Sequence, residues 1–277
     1  MRSRSRVWVV ARTDLRQLWQ SPDFWIPMAI LAGLFFIVIP TILLYAIGHA
    51  GRIDLVQQIG KTLQVLPKRV AQAVDQAGKT PEGRAQYAIA VYLFAPLAVV
   101  VPLTISTAIG ANTIVGEREK GTGEFLAHSP ASEREIYIGK LIGSIVPGYL
   151  ATLLGFGVYA LVVNVMVGPK VGGWFFPTAD WWLLMLWVVP PFIALALSVV
   201  LRISARVRSA TAAQQASGLV TLPLILVAYG QSSGALLGRQ LAGWTVGAIA
   251  WALAILGLMR GAHAVTRERL LGVDKQA

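Results

Sequence analysis

Six long runs without a charged residue divide the chain, and they are rich in apolar side chains. Each run has 20 residues or more, and about 20 apolar residues of α-helix cross a bilayer core about 30 Å thick. Strands of a membrane barrel would instead alternate over about 10 residues. The pattern predicts an all-α polytopic membrane protein with six transmembrane helices and excludes a soluble globular domain. The predicted spans cover about 24–48, 87–115, 138–167, 181–201, 210–230 and 241–260.

Two segments outside these runs have helical patterns of their own. Residues 7–20 predict an amphipathic helix that lies in the membrane interface. Its apolar positions at helical spacing are Trp8, Ala11, Leu15, Leu18 and Trp19. Residues 52–84 repeat apolar side chains every three or four positions and break at Pro67, which predicts two short amphipathic helices on the outer side. We interpret them as a lid on the lipid or on neighbouring spans, with substrate binding as the alternative.

The charged residues change the picture in two ways. The 24 Lys and Arg outnumber the 13 Asp and Glu, but the basic residues flank the apolar runs, which is typical of membrane topology and not of nucleic-acid binding. Five arginines precede the first span, and an even number of spans puts both termini on one side, so we predict cytoplasmic termini. There is no Cys, and the three His lie in separate segments. No metal site or cofactor of this chain is therefore expected.

The charge-free runs also limit how transport is energised. Carriers driven by protons or ions usually hold ionisable groups inside the membrane, and the six runs contain none. The sequence also lacks the glycine-rich phosphate loop with Lys and Ser or Thr that binds nucleotides. We therefore expect a separate ATPase to supply the energy.

The loop between the second and third spans has the most specific pattern. Its charges lie at one end and its apolar residues at the other. Thr122 is predicted to cap a short helix over about 119–128, and Pro130 prevents its continuation. Ser132 and Glu135 have the spacing of a capping box at the start of the third span. The loop thus presents a short helix to the cytoplasm.

The sequence resembles the membrane subunit of type-2 ABC transporters, in this loop and along the whole chain. The matching residues are Gly116-Glu117-Arg118-Glu119-Lys120-Gly121-Thr122 with Glu124, Ser129-Pro130, Glu135-Ile136 to Gly139-Lys140, Ser204 to Val207 with Ala213-Gln214-Gln215 and Pro223, and Arg267 to Leu271. The resemblance implies a multi-pass permease of a bacterial or archaeal cytoplasmic membrane that pairs with a second permease copy or a homologous permease. It also implies that the short helix is a coupling helix, which docks on a cytoplasmic ABC ATPase that binds ATP and Mg.

The resemblance assigns contact with that ATPase to one set of residues. They are Glu117, Arg118, Glu119, Lys120, Gly121, Thr122, Glu124, Phe125 and Leu126. Exposed ion pairs contribute only about 0 to 1 kcal/mol each, whereas burying an apolar side chain contributes about 1.5 to 3 kcal/mol. We therefore expect Phe125 and Leu126 to make the mechanical contact and exposed charges to set the register. The alternative is a solvated, charge-rich loop that follows the positive-inside rule.

Polar residues within the spans are the candidates for a translocation path. They are Thr104, Thr107, Asn112, Gln214 and Gln215. Helix packing is the alternative for the threonines, because hydroxyl groups also join helices in lipid. Gly139 and Gly143 have the spacing of a close approach between helices.

Together these features predict a permease subunit of an ATP-driven exporter, which forms the pathway as a dimer and catalyses no covalent reaction itself. Two other classes stay open. One is an ATP-independent secondary carrier or channel, which the absence of ionisable residues in the runs disfavours. The other is an intramembrane enzyme, for which the sequence offers no nucleophile and base with a supporting motif.

Overall fold

The computed structural model describes residues 3–49, 68–207, 209, 211–219, 221–222 and 240–261. All regular secondary structure in these ranges is helical. The helices are α1 (Ser3–Gln20), α2 (Pro22–Gly48), α3 (Lys68–Ala77), α4 (Pro81–Glu119), α5 (Gly123–Ala127), α6 (Glu133–Val171), α7 (Ala179–Arg206) and α8 (Gln240–Gly261). Residues 211–219 and 221–222 are also helical.

Five helices in the described ranges are long and apolar enough to cross a membrane, namely α2, α4, α6, α7 and α8. They confirm the all-α polytopic fold. The predicted span 210–230 lies partly outside the described residues, so the count of six stays a prediction. Residues 52–67 and the tail Arg267 to Leu271 lie outside them too. Of the two predicted outer helices, the second is present as α3, whose Val70 and Val74 are buried.

The half of the bundle away from the α4–α6 connection depends on side-chain donors that satisfy backbone carbonyls. The turn Ile89–Leu93 of α4 is π-helical, which displaces the hydrogen-bond register of the helix. The Tyr159 hydroxyl donates to the Ala90 carbonyl at 2.6 Å, and the Trp181 indole donates to the Val91 carbonyl at 2.8 Å. Because lipid offers no water to such carbonyls, these bonds hold α6 and α7 against the irregular turn of α4.

The connection between α6 and α7 closes over an aromatic cluster. Phe156 stacks on Trp181 with ring centroids 5.6 Å apart, and Phe176 meets the same indole edge-on at 5.0 Å. The Asn164 amide accepts the backbone N–H groups of Phe175 and Phe176 at 3.0 and 3.1 Å, and it donates to the Phe176 carbonyl at 2.6 Å. This polar residue of the third span therefore supports a loop.

Helix α1 lies along α6 at a distance that only glycines permit. A Cβ atom on Gly139 would lie 2.7 Å from the Val10 Cβ, and one on Gly143 would lie 3.0 Å from the Asp14 Cβ. Real Cβ atoms essentially never approach another heavy atom more closely than 3.0 Å. The close approach expected at these two glycines is confirmed, and the helix that approaches is α1.

The predicted apolar positions of α1 divide between the bundle and its surroundings. Ala11 and Leu18 face the bundle, whereas Trp8 and Trp19 are 56% and 82% exposed. The reason is geometric, since residues advance by about 100° around a helix and these two pairs fall on neighbouring arcs. Helix α1 also begins before the predicted residue 7, at Ser3.

The glycine contact predicts a difference between two substitutions in α6. Gly139→Ala places a methyl group against Val10 and is expected to destabilise the protein by about 1–3 kcal/mol, as overpacked contacts do. Gly157→Ala is the matched control, because nothing lies within 4 Å of its added Cβ. Thermal unfolding in detergent and proteolysis of α1 measure both effects. Equal melting temperatures for the two variants would contradict the contact.

Candidate functional site

The segment between α4 and α6, residues 120–132, contains the predicted coupling helix and is called the coupling segment below. Helix α4 continues to Glu119, and Gly121 then adopts a left-handed conformation with φ of +70°, which glycine accepts without a steric penalty. The helix that follows, α5, has only five residues. It is shorter than the predicted 119–128 because the glycine turn separates Glu119 and Lys120 from it.

The two predicted helix starts have different outcomes. Thr122 precedes α5, but its side chain makes no capping bond. Its hydroxyl instead donates to the Glu117 carboxylate, so the predicted cap is wrong. The capping box at α6 is confirmed, since the Glu135 N–H donates to the Ser132 hydroxyl at 3.3 Å and the Ser132 N–H donates to the Glu135 carboxylate at 2.8 Å.

A buried group of three charges lies beneath the coupling segment. The Lys140 ammonium is 2.6 Å from a Glu117 carboxylate oxygen and 2.9 Å from one of Asp14. The side chains of Lys140, Glu117 and Asp14 are 3%, 15% and 13% exposed. These three residues, called the Lys140 triad below, join α1, α4 and α6 at one point.

The triad corrects the expectation that the charges of the coupling set are exposed. Glu117 is buried in an ion pair, and the sequence prediction included neither Lys140 nor Asp14 in the site. One local signal was present, because Asp14 lies four residues after Val10 and four before Leu18, on the inward face of α1. Its partner is 126 positions away, so local spacing did not identify Lys140.

Burial sets the electrostatics of the triad. Burial raises the pKa of the Asp14 carboxyl above its ordinary value of 3.8; Lys140 opposes this shift, and the nearby Glu117 charge adds to it. One ammonium therefore shares its charge between two carboxylates that are largely removed from water. Loss of the ammonium would leave two buried carboxylates without a counter-ion, which is strongly destabilising.

Two arginines hold the ends of this region to other helices. Arg118 donates to the Ser204 carbonyl at 3.1 Å and also to the Val207 carbonyl, so the end of α4 is bound to the end of α7. Arg6 of α1 donates to the Pro130 carbonyl at 2.9 Å. Arg118 is therefore also engaged with the protein, contrary to the expected exposed charge.

The coupling segment exposes one large apolar side chain. Phe125 is 80% exposed, whereas Leu126 is half-buried against the core and Gly123 and Ala127 are buried. Glu119, Lys120, Gly121 and Glu124 are exposed as well. The predicted apolar pair is thus divided, since Leu126 holds α5 against the protein and Phe125 extends from it.

Two cavities meet at the Lys140 triad. The first has a volume of about 380 Å³ and includes Asn112, Thr113 and Phe24 in its lining. The second has a volume of about 410 Å³ and lies between α1 and the coupling segment, where Val9 and Leu126 line it. Asp14, Glu117, Thr122 and Lys140 line both cavities. The side chains of the triad therefore lie at the boundary between the two cavities.

Comparison with known proteins gives the family. The family model described as "ABC-2 family transporter protein" matches residues 8–236, which is most of the chain. The chain belongs to the ABC-2 family. A search of curated proteins found no match. The protein is accordingly a multi-pass permease subunit of an ABC transporter, and such membrane subunits are generally not catalytic and generally work with a cytoplasmic ATPase.

The permease places its candidate pathway residues in different environments. Asn112 lines the first cavity. Thr104 is exposed and Thr107 is buried, and each hydroxyl donates to a backbone carbonyl of its own helix, at 2.8 and 2.7 Å. Gln214 and Gln215 are exposed. Asn112 and the triad residues therefore line one cavity together, and the other four candidates lie outside both cavities.

The triad predicts that Lys140 is essential to the fold of the permease. Lys140→Met leaves two buried carboxylates without a counter-ion and is expected to destabilise the protein by about 3–5 kcal/mol. Lys120→Met removes the same charge from an exposed position and is expected to change stability by less than about 1 kcal/mol. Thermal unfolding in detergent compares them. Similar stability of the two variants would show that the triad is not needed.

The raised pKa of Asp14 predicts a pH dependence. A carboxyl whose folded-state pKa is raised contributes stability that is complete below its ordinary pKa of 3.8 and is lost as the pH rises through the folded value. The Asp14→Asn variant has no ionisable group at this position, so it lacks this pH-dependent loss of stability. The melting temperature of the variant minus that of the wild type is therefore expected to increase as the pH rises from below 3.8 towards neutrality. A constant or decreasing difference would contradict the assignment.

Proposed function

We propose that the permease is the membrane subunit of an ATP-driven exporter, and that a separate cytoplasmic ATPase docks on the coupling segment. The observation that carries the proposal is the division of this region into an anchored base and an exposed tip. The base is held by the Lys140 triad and by Arg118. The tip presents Phe125, and an exposed aromatic side chain on a short helix suits a groove in a partner protein.

The anchoring explains how a movement of the tip reaches the membrane. A force on α5 passes through Glu117 and Lys140 to α6, through Asp14 to α1, and through Arg118 to α7. Buried, well-packed contacts transmit displacement as rigid-body motion because they do not deform continuously. Closure of the ATPase would thus move several spans together and open the pathway outward.

The pathway in this proposal forms between two permease subunits, each with one ATPase. A second copy or a homologous permease supplies the other half. ATP and Mg bind to the ATPase, and the permease holds neither. Both termini and the coupling segment lie on the cytoplasmic side of a bacterial or archaeal inner membrane, which agrees with the five arginines before the first span.

The exposed tip predicts that Phe125 matters more for coupling than the charge beside it. Phe125→Ala is expected to weaken docking by about 1.5–3 kcal/mol, which corresponds to a loss of at least tenfold in affinity. Lys120→Ala is the control and is expected to cost less than about 1 kcal/mol. Both side chains are exposed, so neither change is expected to unfold the permease.

The measurements are capture of a co-expressed ABC ATPase by purified permease, and ATP-driven transport in proteoliposomes. Phe125→Ala should reduce both and leave the melting temperature unchanged. An effect of Lys120→Ala that equals or exceeds that of Phe125→Ala would overturn the apolar contact. Uphill transport by the purified permease without any ATPase would instead establish the secondary carrier.

A further inference from the structure

Helix α1 has a third face that neither packs against the bundle nor lines the two cavities. This outer face is formed by residues that fall within about 100° of the helix circumference. They are Trp8, Arg12, Leu15, Arg16 and Trp19. The two tryptophans and the two arginines are exposed, and Leu15 is half-buried. None of the five lines either cavity.

The other faces of α1 are directed towards α6 and towards the coupling segment. Val10 and Asp14 lie against the α6 glycines, and Val9, Thr13 and Gln17 line the cavity next to the coupling segment. Within the described part of the chain, no carboxylate forms an ion pair with an arginine of the outer face. Among the residues that the structure describes, the outer face is therefore directed away from the protein, and its two positive charges have no acidic partner.

The position of α1 brings this face to the membrane surface. Helix α1 ends at Gln20, and the first apolar span begins at Pro22, so Trp19 lies next to the start of the span. Tryptophan concentrates at the level of lipid headgroups, where the ring is apolar and its N–H is polar. Arginine binds phosphate oxygens through two parallel hydrogen bonds. The outer face combines both properties.

We propose that the outer face of α1 binds the phosphate headgroups of anionic phospholipids in the leaflet on which the helix lies. Arg12 and Arg16 pair with the headgroup phosphates, and Trp8, Leu15 and Trp19 enter the boundary between headgroups and acyl chains. The occupant is an anionic lipid because the face carries two positive charges and no acid, whereas a zwitterionic lipid has no net charge to compensate them.

Lipid on the outer face would also hold the opposite side of α1 in place. The same helix carries Asp14 to Lys140 and Val10 to Gly139. An anionic leaflet therefore favours the docked position of α1 that completes the Lys140 triad. The lipid would be a partner additional to the proposed transport function, and its binding does not depend on the ATPase.

The test measures lipid binding to the full-length permease. Purified permease in detergent is titrated with phosphatidylglycerol or phosphatidylcholine, and bound lipid is counted by native mass spectrometry. The double variant Arg12→Gln/Arg16→Gln is expected to bind phosphatidylglycerol about thirtyfold more weakly, which corresponds to about 1 kcal/mol for each basic residue near an anionic surface. Phosphatidylcholine binding should not change.

Arg134→Gln/Arg206→Gln is the matched control, because it removes the same charge from exposed positions on α6 and α7. It is expected to bind phosphatidylglycerol like the wild type, and unchanged melting temperatures show that all three proteins are folded. An equal loss in both double variants, or no preference for phosphatidylglycerol over phosphatidylcholine, would overturn the proposal. So would unchanged lipid binding together with lost ATPase capture in the α1 variant, which would assign the face to a protein.

Discussion

The ion pairs of Lys140 are the interaction on which the rest of this structure depends. A lysine ammonium with 3% of its side chain exposed is stable only where opposite charges replace the water it has lost. Glu117 and Asp14 provide these charges from two other helices. The close glycine contact between α6 and α1 is a precondition, because it brings the Asp14 carboxylate within 2.9 Å of the ammonium.

This constraint separates the end of α4, which is anchored by buried charges, from the exposed part of the coupling segment that follows it. Exposed ion pairs contribute little free energy, whereas buried and hydrogen-bonded charges fix the arrangement of the helices that carry them. Glu117 and Arg118 are of the second kind, since they bind Lys140 and the end of α7. Lys120 and Phe125 remain exposed. The rigid base and the free apolar tip therefore follow one another within a few residues.

Helix α1 connects three environments through its three faces. Its inner face completes the triad, its flank lines a cavity next to the coupling segment, and its outer face presents exposed tryptophan and arginine side chains. The distant half of the bundle is held differently. There the Tyr159 hydroxyl and the Trp181 indole satisfy carbonyls of α4 in an apolar core. Charge thus organises the end of the permease next to the coupling segment, and aromatic packing organises the other half.

The sequence alone determined the features that depend on local pattern. Charge-free runs identified the membrane-length helices of the described ranges, the spacing of Ser132 and Glu135 identified the start of α6, and the loop motif identified the family. The glycine pair also predicted a close helix contact. These features are recoverable because periodicity, capping and motifs involve residues that are neighbours along the chain.

Tertiary structure alone decided which charges are buried. Lys140 lies directly before a charge-free run and Glu117 directly after another, so their positions resemble those of ordinary flanking charges. They meet each other and Asp14 only because three helices converge. The local sequence pattern shows where a membrane-length helix ends. Whether a charged side chain at that end is buried depends on residues distant in the sequence, which must provide the opposite charge or hydrogen bonds that water would otherwise supply. For the same reason, the face of α1 that is directed inward could be identified only from its packing against α6.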